Sequence, residues 1–304
     1  MTRGKILVIR GGAIGDFILT LPVLAALRQQ FPQTHLEVLG YSHITRLAQA
    51  GGLADAVRSI EARAMAGFFA RHGTLETALQ EYFADFAIII SYLYDPDGFF
   101  QANVAKCSKA QFIAGPHRPD DNAGVHATEV FLQALERLAI FDADTVPRLS
   151  LNSQRANTRQ LALHPGSGSA RKNWPEAKWA ELLGELMRTT ELDLLLVGGE
   201  AEEGRVERLA ANLPAERGQL ATNLPLPELA QRLAGCAAFV GHDSGITHLA
   251  AAVGLPVVVL WGDTVEAVWR PKGERVRVVR AAEGLNELKV ASVLEQLRNL
   301  LKAD

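Results

Sequence analysis

The chain of 304 residues carries 31 Lys and Arg against 34 Asp and Glu, a net charge of −3 with His neutral. At about 150 residues per domain, this length predicts two domains that each bury their own core. Hydrophobic residues make up 48% of the chain and charged residues 21%, which excludes a disordered or fibrous protein. Because no basic excess is available to bind a phosphate backbone, we do not expect nucleic acid as a partner.

The cysteines and the apolar runs indicate a cytoplasmic protein. Cys107 and Cys236 lie far apart and belong to no CxxC motif, so we expect two buried thiols in a reducing compartment and no zinc site. The first apolar run ends at Arg10 and is too short for a signal peptide. The longest uncharged stretch, residues 249–262, is too short to span a membrane.

Short β-branched runs alternate with longer amphipathic segments, which is typical of parallel sheets with crossover helices. In the N-terminal half we predict strands at 5–10, 36–39 and 86–91 and a helix at 15–30. In the C-terminal half we predict strands at 160–164, 192–197, 237–241 and 256–261, and helices at 175–189, 202–212, 226–234 and 245–253. The uninterrupted apolar run at 86–91 indicates a central strand that is buried on both faces.

A polar stretch without apolar periodicity, residues 152–159, indicates a linker between the two halves. We therefore predict one Rossmann-like α/β domain at 1–152 and a second at 153–284. Apolar residues at spacings of three and four predict a C-terminal amphipathic helix at 285–304, which we expect to pack across both domains.

The first predicted strand runs into a glycine-rich turn, RGGAIGD at residues 10–16, that opens a helix. Gly12 and Gly15 allow a ligand to approach the free N–H groups of that helix closely. As a dinucleotide fingerprint the turn is broken, because Arg10 stands where the first glycine is required, and this disfavours a nicotinamide enzyme. Asp16 has two interpretations: a carboxylate favoured by the helix dipole alone, or a general base at the carboxyl end of a parallel strand.

Polar loops also follow three strands of the second half. The loop with Ser167 and Lys172 resembles a phosphate cradle without the Walker spacing, or is a plain exposed loop. Glu200 ends a buried strand and either accepts ribose hydroxyls or caps the next helix. The segment 239–252 ends a strand and starts an Ala-rich helix whose N-terminus suits a diphosphate, and capping of that helix by Asp243 and Ser244 is the alternative.

Two Asp-x-Asp sequences, at 95–97 and 142–144, match a metal-diphosphate signature in spacing but fit turn chemistry better. Cations and helix N-termini can neutralise a leaving diphosphate by themselves. We therefore expect no metal and no cofactor.

Four segments, taken in chain order, resemble glycosyltransferase family 9, the bacterial lipopolysaccharide heptosyltransferases. They are KILVIRGGAIGDFILTLPVLAALRQQFP, LALHPGSGSARKNWPEAKWAEL, LLLVGGEAEEGRVERLA and LPLPELAQRLAGCAAFVGHDSGITHLAAAVGLPVVVLWG. The resemblance implies a GT-B fold, in which two Rossmann-like α/β domains face each other across a cleft. It places the acceptor on the N-terminal domain and the nucleotide sugar on the C-terminal one.

The resemblance also implies roles for single residues. Asp16 matches the catalytic base, and Gly12 and Gly15 belong to its phosphate or acceptor loop. The implied donor-binding residues are Ser167, Lys172, Glu200, Leu224, Asp243, Ser244, Gly245, Ile246 and His248. For His248, a structural histidine facing the core is the alternative.

The implied reaction is an inverting transfer of heptose, or a related sugar, from ADP-heptose or another nucleotide sugar to a hydroxyl of a lipid-linked or lipopolysaccharide-core glycan. Such an acceptor is consistent with peripheral contact at the inner face of the inner membrane. A GT-B-like nucleotide-sugar epimerase and an inactive nucleotide-sugar-binding protein are the alternatives. No motif within residues 54–125 identifies a particular acceptor. Five side chains are candidate cations for an anionic acceptor, and ordinary exposure to solvent is the alternative explanation for each: Arg46, Arg63, His117, Arg118 and His126.

Overall fold

A computed structural model describes residues 4–151, 159–169 and 172–302. The chain divides into two units, Met1–Thr145 and Val146–Asp304, each built on one parallel sheet. The predicted boundary between residues 152 and 153 lies outside the described residues, as does the predicted linker apart from Arg159. The C-terminal helix belongs to the second unit.

The sheet of the first unit has five strands in the order β3-β2-β1-β4-β5, and all neighbouring strands in it pair in parallel. The strands are β1 Lys5–Arg10, β2 Leu36–Gly40, β3 Ala56–Ser59, β4 Phe86–Ser91 and β5 Gln111–Ala114. The helices are α1 Ile14–Gln30, α2 Ser42–Ala50, α3 Thr77–Ala84, α4 Phe99–Ala105 and α5 Ala127–Leu132, with 3₁₀ helices at Arg63–Phe69 and Gln133–Leu138. The prediction of a central position for residues 86–91 was wrong by one strand, because β1 holds the centre and β4 lies beside it.

The first core forms between this sheet and aromatic side chains of the segments that cover it. Leu7 and Ile9 of β1 are fully buried beside Phe68, Phe83 and Phe100. Their burial removes large apolar surfaces from water at about 25 cal/mol per Å², which fixes β1 in the middle of the unit. The residues that follow β1 are therefore carried by the buried strand at the centre of the sheet.

The second sheet has six strands in the order β11-β10-β9-β6-β7-β8, again all parallel. The strands are β6 Gln160–His164, β7 Asp193–Gly198, β8 Gly218–Thr222, β9 Ala238–His242, β10 Val257–Leu260 and β11 Val276–Val279. The helices are α6 Glu176–Thr189, α7 Arg205–Ala210, α8 Leu226–Ala234, α9 Gly245–Ala252, α10 Glu266–Trp269 and α11 Val290–Lys302. None of the described helices is both long and apolar enough to cross a bilayer.

The C-terminal helix completes the second core. A 3₁₀ turn at Leu285–Glu287 precedes α11, whose buried face includes Leu294 and Leu297 and packs against α6, β10 and β11. Trp174 joins the same core and donates its indole N–H to the carbonyl of Leu288 at 3.0 Å. Packing of this helix across both domains stays a prediction.

Both cysteines carry free thiols. Cys236 is buried, and burial raises the pKa of its thiol to about 11. Cys107 is only half-buried, so the prediction of two buried cysteines was wrong for this residue, which follows α4.

Candidate active site

The carboxyl edge of the second sheet collects most of the predicted donor-binding residues. β6, β7 and β9 end at His164, Gly198 and His242, and parallel neighbours end at the same edge of a sheet. The loops after β6 and β9 meet there, since the Lys172 ammonium lies 2.7 Å from the Asp243 carboxylate.

The ammonium of Lys172 is held in place but remains accessible. Asp243 is 8% exposed, and its Oδ2 also accepts a hydrogen bond from the Thr264 hydroxyl at 2.6 Å. The Lys172 side chain is 39% exposed. One side of the ammonium is therefore neutralised by Asp243 while the other is open to an anion. The sequence reasoning missed Thr264, whose position just after β10 was its only signal.

The N-terminus of α9 adds backbone donors to this edge. Ser244 is its N-cap and its hydroxyl accepts from the Thr247 N–H at 3.4 Å, so the capping interpretation of Ser244 is confirmed. The N–H groups of Gly245 and Ile246, in the first turn, have no partner within the helix. Together with the helix dipole they favour an anion at this end. His248 is buried within the same helix.

The loop after β6 is anchored by Glu202, which the sequence analysis did not single out. Its Oε2 lies 3.7 Å from Nε2 of His164 and accepts from the Gly199 N–H at 2.9 Å. A side chain at Gly166 would place its Cβ 2.0 Å from Oε1 of Glu202, so only glycine fits there. Burial by itself raises the pKa of Glu202, but its hydrogen bonds to His164 and Gly199 outweigh burial and lower the pKa below its ordinary value.

The predicted ribose ligand, Glu200, is exposed in the 3₁₀ turn that begins right after β7 and Gly199. Leu224 is half-buried, and the N–H of its neighbour Asn223 donates to the carbonyl of Gly198 at 3.0 Å. The structure therefore brings the turn before α8 beside the end of β7. Ser167 lies in the loop after β6, where its hydroxyl is 2.7 Å from Oδ1 of Asn173.

His242 ties this loop to the sheet and was also missed. Its Nε2 accepts from the Trp174 N–H at 2.8 Å, and its Nδ1 lies 3.0 Å from the Gly166 carbonyl. The neutral tautomer with the proton on Nδ1 satisfies both contacts. Burial lowers the pKa of His242 to about 3, so the ring stays neutral and keeps its hydrogen bonds to the loop after β6. Its only signal in the sequence was its place as the last residue of a buried strand.

The low pKa of buried His242 predicts that the second unit is destabilised by acid. Because the pKa is about 3 when folded and about 6.5 when unfolded, the unfolded state takes up the proton first. The contribution of His242 to stability is therefore complete above pH 6.5 and is lost as the pH falls towards 3. Between pH 7 and 5 we expect this group alone to cost about 2 kcal/mol of unfolding free energy. Urea unfolding at both pH values measures it.

A His242→Leu variant is the matched control for that measurement. Leucine cannot take up a proton but leaves the Trp174 N–H and the Gly166 carbonyl without their partner. We expect it to be less stable at pH 7 by roughly 2–4 kcal/mol. Its further loss between pH 7 and 5 should be smaller than that of the unchanged protein, and equal losses would contradict the assignment.

In the first unit, Asp16 lies in the first turn of α1, directly after the glycine-rich loop. Its Oδ2 accepts from the Ala13 N–H at 3.1 Å, so besides its favourable place near the helix dipole it caps α1. Gly12 has a φ of +101°, and a Cβ there would lie 2.8 Å from Oδ2 of Asp16. Gly15 belongs to the same first turn. The Asp16 side chain is 32% exposed, so the carboxylate can also meet a ligand.

Arg10 is the buried ion-pair partner of Asp16, and it was not among the predicted site residues. Its Nη2 lies 3.7 Å from Oδ1 of Asp16, and its Nη1 donates to the carbonyl of His117 at 2.8 Å. The guanidinium also stacks 4.4 Å from the ring centroid of Phe131. Burial lowers the pKa of Arg10, and the charge of Asp16 opposes that shift. The available signal was a cation directly after the apolar run at residues 6–9.

The five candidate cations of the first unit stand on several different elements of the chain. His126 is buried and caps α5 by accepting from the Thr128 N–H, so solvation does not explain it. Arg118 pairs with Asp121 at 2.9 Å. His117 is exposed and its ring packs against Tyr94 in a tilted arrangement, whereas Arg46 and Arg63 are exposed on α2 and on the first 3₁₀ helix.

The first Asp-x-Asp sequence serves a turn, as expected from its chemistry. The two carboxylate oxygens of Asp95 accept from the N–H groups of Phe100 and Gln101 at the start of α4.

Comparison with known proteins identifies the family of this chain. The model of glycosyltransferase family 9 (heptosyltransferase) matches residues 129–297, which is more than half of the chain. The chain belongs to glycosyltransferase family 9. The match includes the loops of Lys172, Glu202 and Asp243 and therefore the whole carboxyl edge of the second sheet.

Individual relatives of this family 9 protein are heptosyltransferases. Lipopolysaccharide heptosyltransferase 1 of Pseudomonas aeruginosa is 39% identical over 150 residues, 46% of this chain and 41% of that protein. Lipopolysaccharide heptosyltransferase 3 of Escherichia coli is 24% identical over 290 residues, 86% of this chain and 83% of that one. In the first two curated matches the chain spans less than half of the relatives' own length.

The solved structures establish the fold class. E. coli ADP-heptose lipopolysaccharide heptosyltransferase II superposes with a TM-score of 0.78 at 21% identity, covering 98% of this chain and 99% of the other. The family 9 protein therefore has the GT-B fold class, with two Rossmann-like α/β units, as the sequence predicted.

Proposed function

We propose that this family 9 protein transfers heptose from ADP-heptose to a hydroxyl of a lipopolysaccharide-core acceptor, with inversion at the anomeric carbon and without a metal ion. The observation that carries the proposal is the accessible Lys172 ammonium, fixed by Asp243 at the sheet edge where α9 begins. That edge offers an ammonium group that Asp243 neutralises on one side only, together with backbone N–H donors, and these are groups that stabilise a leaving diphosphate. The heptosyltransferase relatives support the sugar and the acceptor class.

The second unit binds the donor in this proposal. Lys172 and the N–H groups of Gly245 and Ile246 take the diphosphate, and exposed Glu200 takes the ribose hydroxyls. Leu224 contacts the nucleobase of the donor from the turn beside the end of β7. Asp243 holds the lysine, while buried Glu202 and His242 keep the loop after β6 in place.

The first unit supplies the base. The Asp16 carboxylate removes the proton of the acceptor hydroxyl while that oxygen attacks the anomeric carbon. The bond between this carbon and the β-phosphate oxygen breaks, and its electron pair leaves with ADP. A single displacement of this kind inverts the configuration. Charge that grows on the diphosphate is stabilised by Lys172 and the α9 amides, an effect of several kcal/mol in preorganised sites.

Donor identity is tested by thermal shift with ADP, UDP, GDP and their sugars. We expect ADP and ADP-heptose to raise the melting temperature most, because a ligand at 100 times its Kd adds about 2.7 kcal/mol of stability. A larger shift with UDP or GDP would contradict the donor assignment. Transfer to deacylated lipopolysaccharide from a heptose-deficient strain, followed by NMR of the new anomeric centre, tests acceptor class and inversion.

The same assay separates the remaining alternatives. Isomerised sugar released without acceptor would indicate an epimerase, and binding without any turnover would indicate an inactive binding protein. Turnover should be unchanged in excess EDTA, and a loss that Mg²⁺ or Mn²⁺ restores would contradict metal independence.

A further inference from the structure

A small cavity in the first unit lies beside the loop that carries Asp16. It measures about 230 Å³ at the carboxyl ends of β4 and β5, and its lining includes Ser91, Leu93, Tyr94 and His117. A Cβ at Gly11, in the glycine-rich loop, would contact Leu93 at 3.5 Å. The cavity and the proposed base therefore share one edge of the sheet, where open α/β folds bind their ligands.

The size and lining of the cavity suit one small polar ring. Pockets for drug-sized ligands measure about 300–1,000 Å³, so this cavity is too small for a nucleotide. Polar side chains of Ser91, Gln101, His117 and Tyr94 line it. The Ser91 hydroxyl accepts from the Leu93 N–H at 3.4 Å and has its proton left to donate, whereas both oxygens of Asp95 accept backbone N–H groups of α4. A hydroxyl-bearing ring would find both an apolar wall and hydrogen-bonding groups.

Tyr94 gives the cavity an exposed aromatic wall. Its side chain is among the most exposed large hydrophobic groups of the chain, at 71%. Its ring packs against the His117 ring in a tilted arrangement, with centroids 4.7 Å apart and planes 55° apart. An aromatic face that is left open at the rim of a cavity is typical of a binding site.

Arg10 connects this aromatic wall to Asp16. One end of its buried guanidinium donates to the His117 carbonyl, and the other end lies 3.7 Å from Oδ1 of Asp16. A single planar group thereby holds the backbone of His117, which packs against Tyr94, near the proposed base.

We propose that this cavity is an acceptor subsite, in which Tyr94 stacks on a pyranose ring of the acceptor saccharide and Ser91 and Gln101 bind its hydroxyls. The proposal rests on the proposed function for the identity of the acceptor. Tyr94 acts here as a specificity-determining residue. Arg10 is a positioning residue.

The test compares three variants in steady-state transfer from ADP-heptose to deacylated lipopolysaccharide of a heptose-deficient strain. We expect Tyr94→Ala to raise the acceptor KM about fivefold, because aromatic stacking contributes about 1 kcal/mol. The donor KM should not change. Tyr94→Phe keeps the ring and should stay within about twofold of the unchanged protein. Phe141→Ala removes another exposed ring of the same unit, 70% exposed and outside the cavity lining, and should have no effect.

Saturation-transfer NMR with the same saccharide and no donor provides a readout that does not depend on turnover. Loss of saturation transfer in Tyr94→Ala, and its retention in Phe141→Ala, supports the subsite. Equal signals in both variants, no signal with any protein, or an unchanged acceptor KM overturns it. If the unchanged protein binds the saccharide through Tyr94 but transfers no heptose, the proposed function fails and the subsite stands.

Discussion

Replacement of Asp16 by Asn is expected to lower kcat by about 10²–10⁴-fold, which is the range that general-base catalysis contributes. The Asn side chain still offers an oxygen to the Ala13 N–H but cannot accept the acceptor's proton. Affinity for ADP, measured by calorimetry, should remain unchanged because the proposed donor residues lie in the second unit. Transfer rates at saturating donor and acceptor provide the measurement.

Asp16→Ala separates the chemistry of this carboxylate from its capping role. Alanine also loses the hydrogen bond from Ala13, so α1 should lose about 1 kcal/mol of stability. If the carboxylate acts as base, both variants lose the same turnover although only Ala loses the cap. If Asn retained a tenth or more of the turnover while Ala did not, Asp16 would have only a structural role.

The fold was predictable where strands are buried and not where they form edges. All seven predicted strands were found, with bounds that differ by at most one residue at each end. The four missed strands, β3, β5, β8 and β11, are the outermost strands of the two sheets. Edge strands are short and half-exposed, as in β8 with its exposed Gln219 and Leu220, so they lack the continuous apolar run of a parallel interior strand.

The site was predictable where a residue follows a strand, and not where its role depends on a distant partner. Lys172 and Asp243 stand in loops that the strand pattern already placed at one edge. Glu202, His242 and Arg10 gain their roles from Gly166, Trp174 and His117, which are 36 to 107 residues away in the chain. Neither the periodicity of apolar residues nor a local sequence motif identifies contacts between residues that lie so far apart in the chain. Buried polar residues become interpretable only when their hydrogen-bond partners are known.

Replacement of Lys172 by Ala is expected to lower kcat/KM for the donor about 10²-fold, the cost of removing one preorganised group from developing charge. ADP affinity should fall as well, because the variant leaves the Asp243 carboxylate next to the diphosphate with, among the described residues, only the Thr264 hydroxyl as partner. Calorimetric titration of ADP measures this second loss. A matched control is Lys178→Ala, which removes a lysine of α6 that donates to the Leu288 carbonyl at 2.9 Å and should change stability but not ADP affinity.

Adding Asp243→Asn to Lys172→Ala tests whether the Asp243 carboxylate repels the diphosphate once the lysine is removed. The single Lys172→Ala variant combines a lost attraction with an uncovered negative charge, whereas the double variant retains only the lost attraction. ADP should therefore bind the double variant more tightly than it binds Lys172→Ala, although more weakly than it binds the unchanged protein. Non-additivity of this kind is expected for two groups in direct contact at 2.7 Å. If Lys172→Ala bound ADP with unchanged affinity, this ion pair would serve the fold and the diphosphate would have to be held elsewhere.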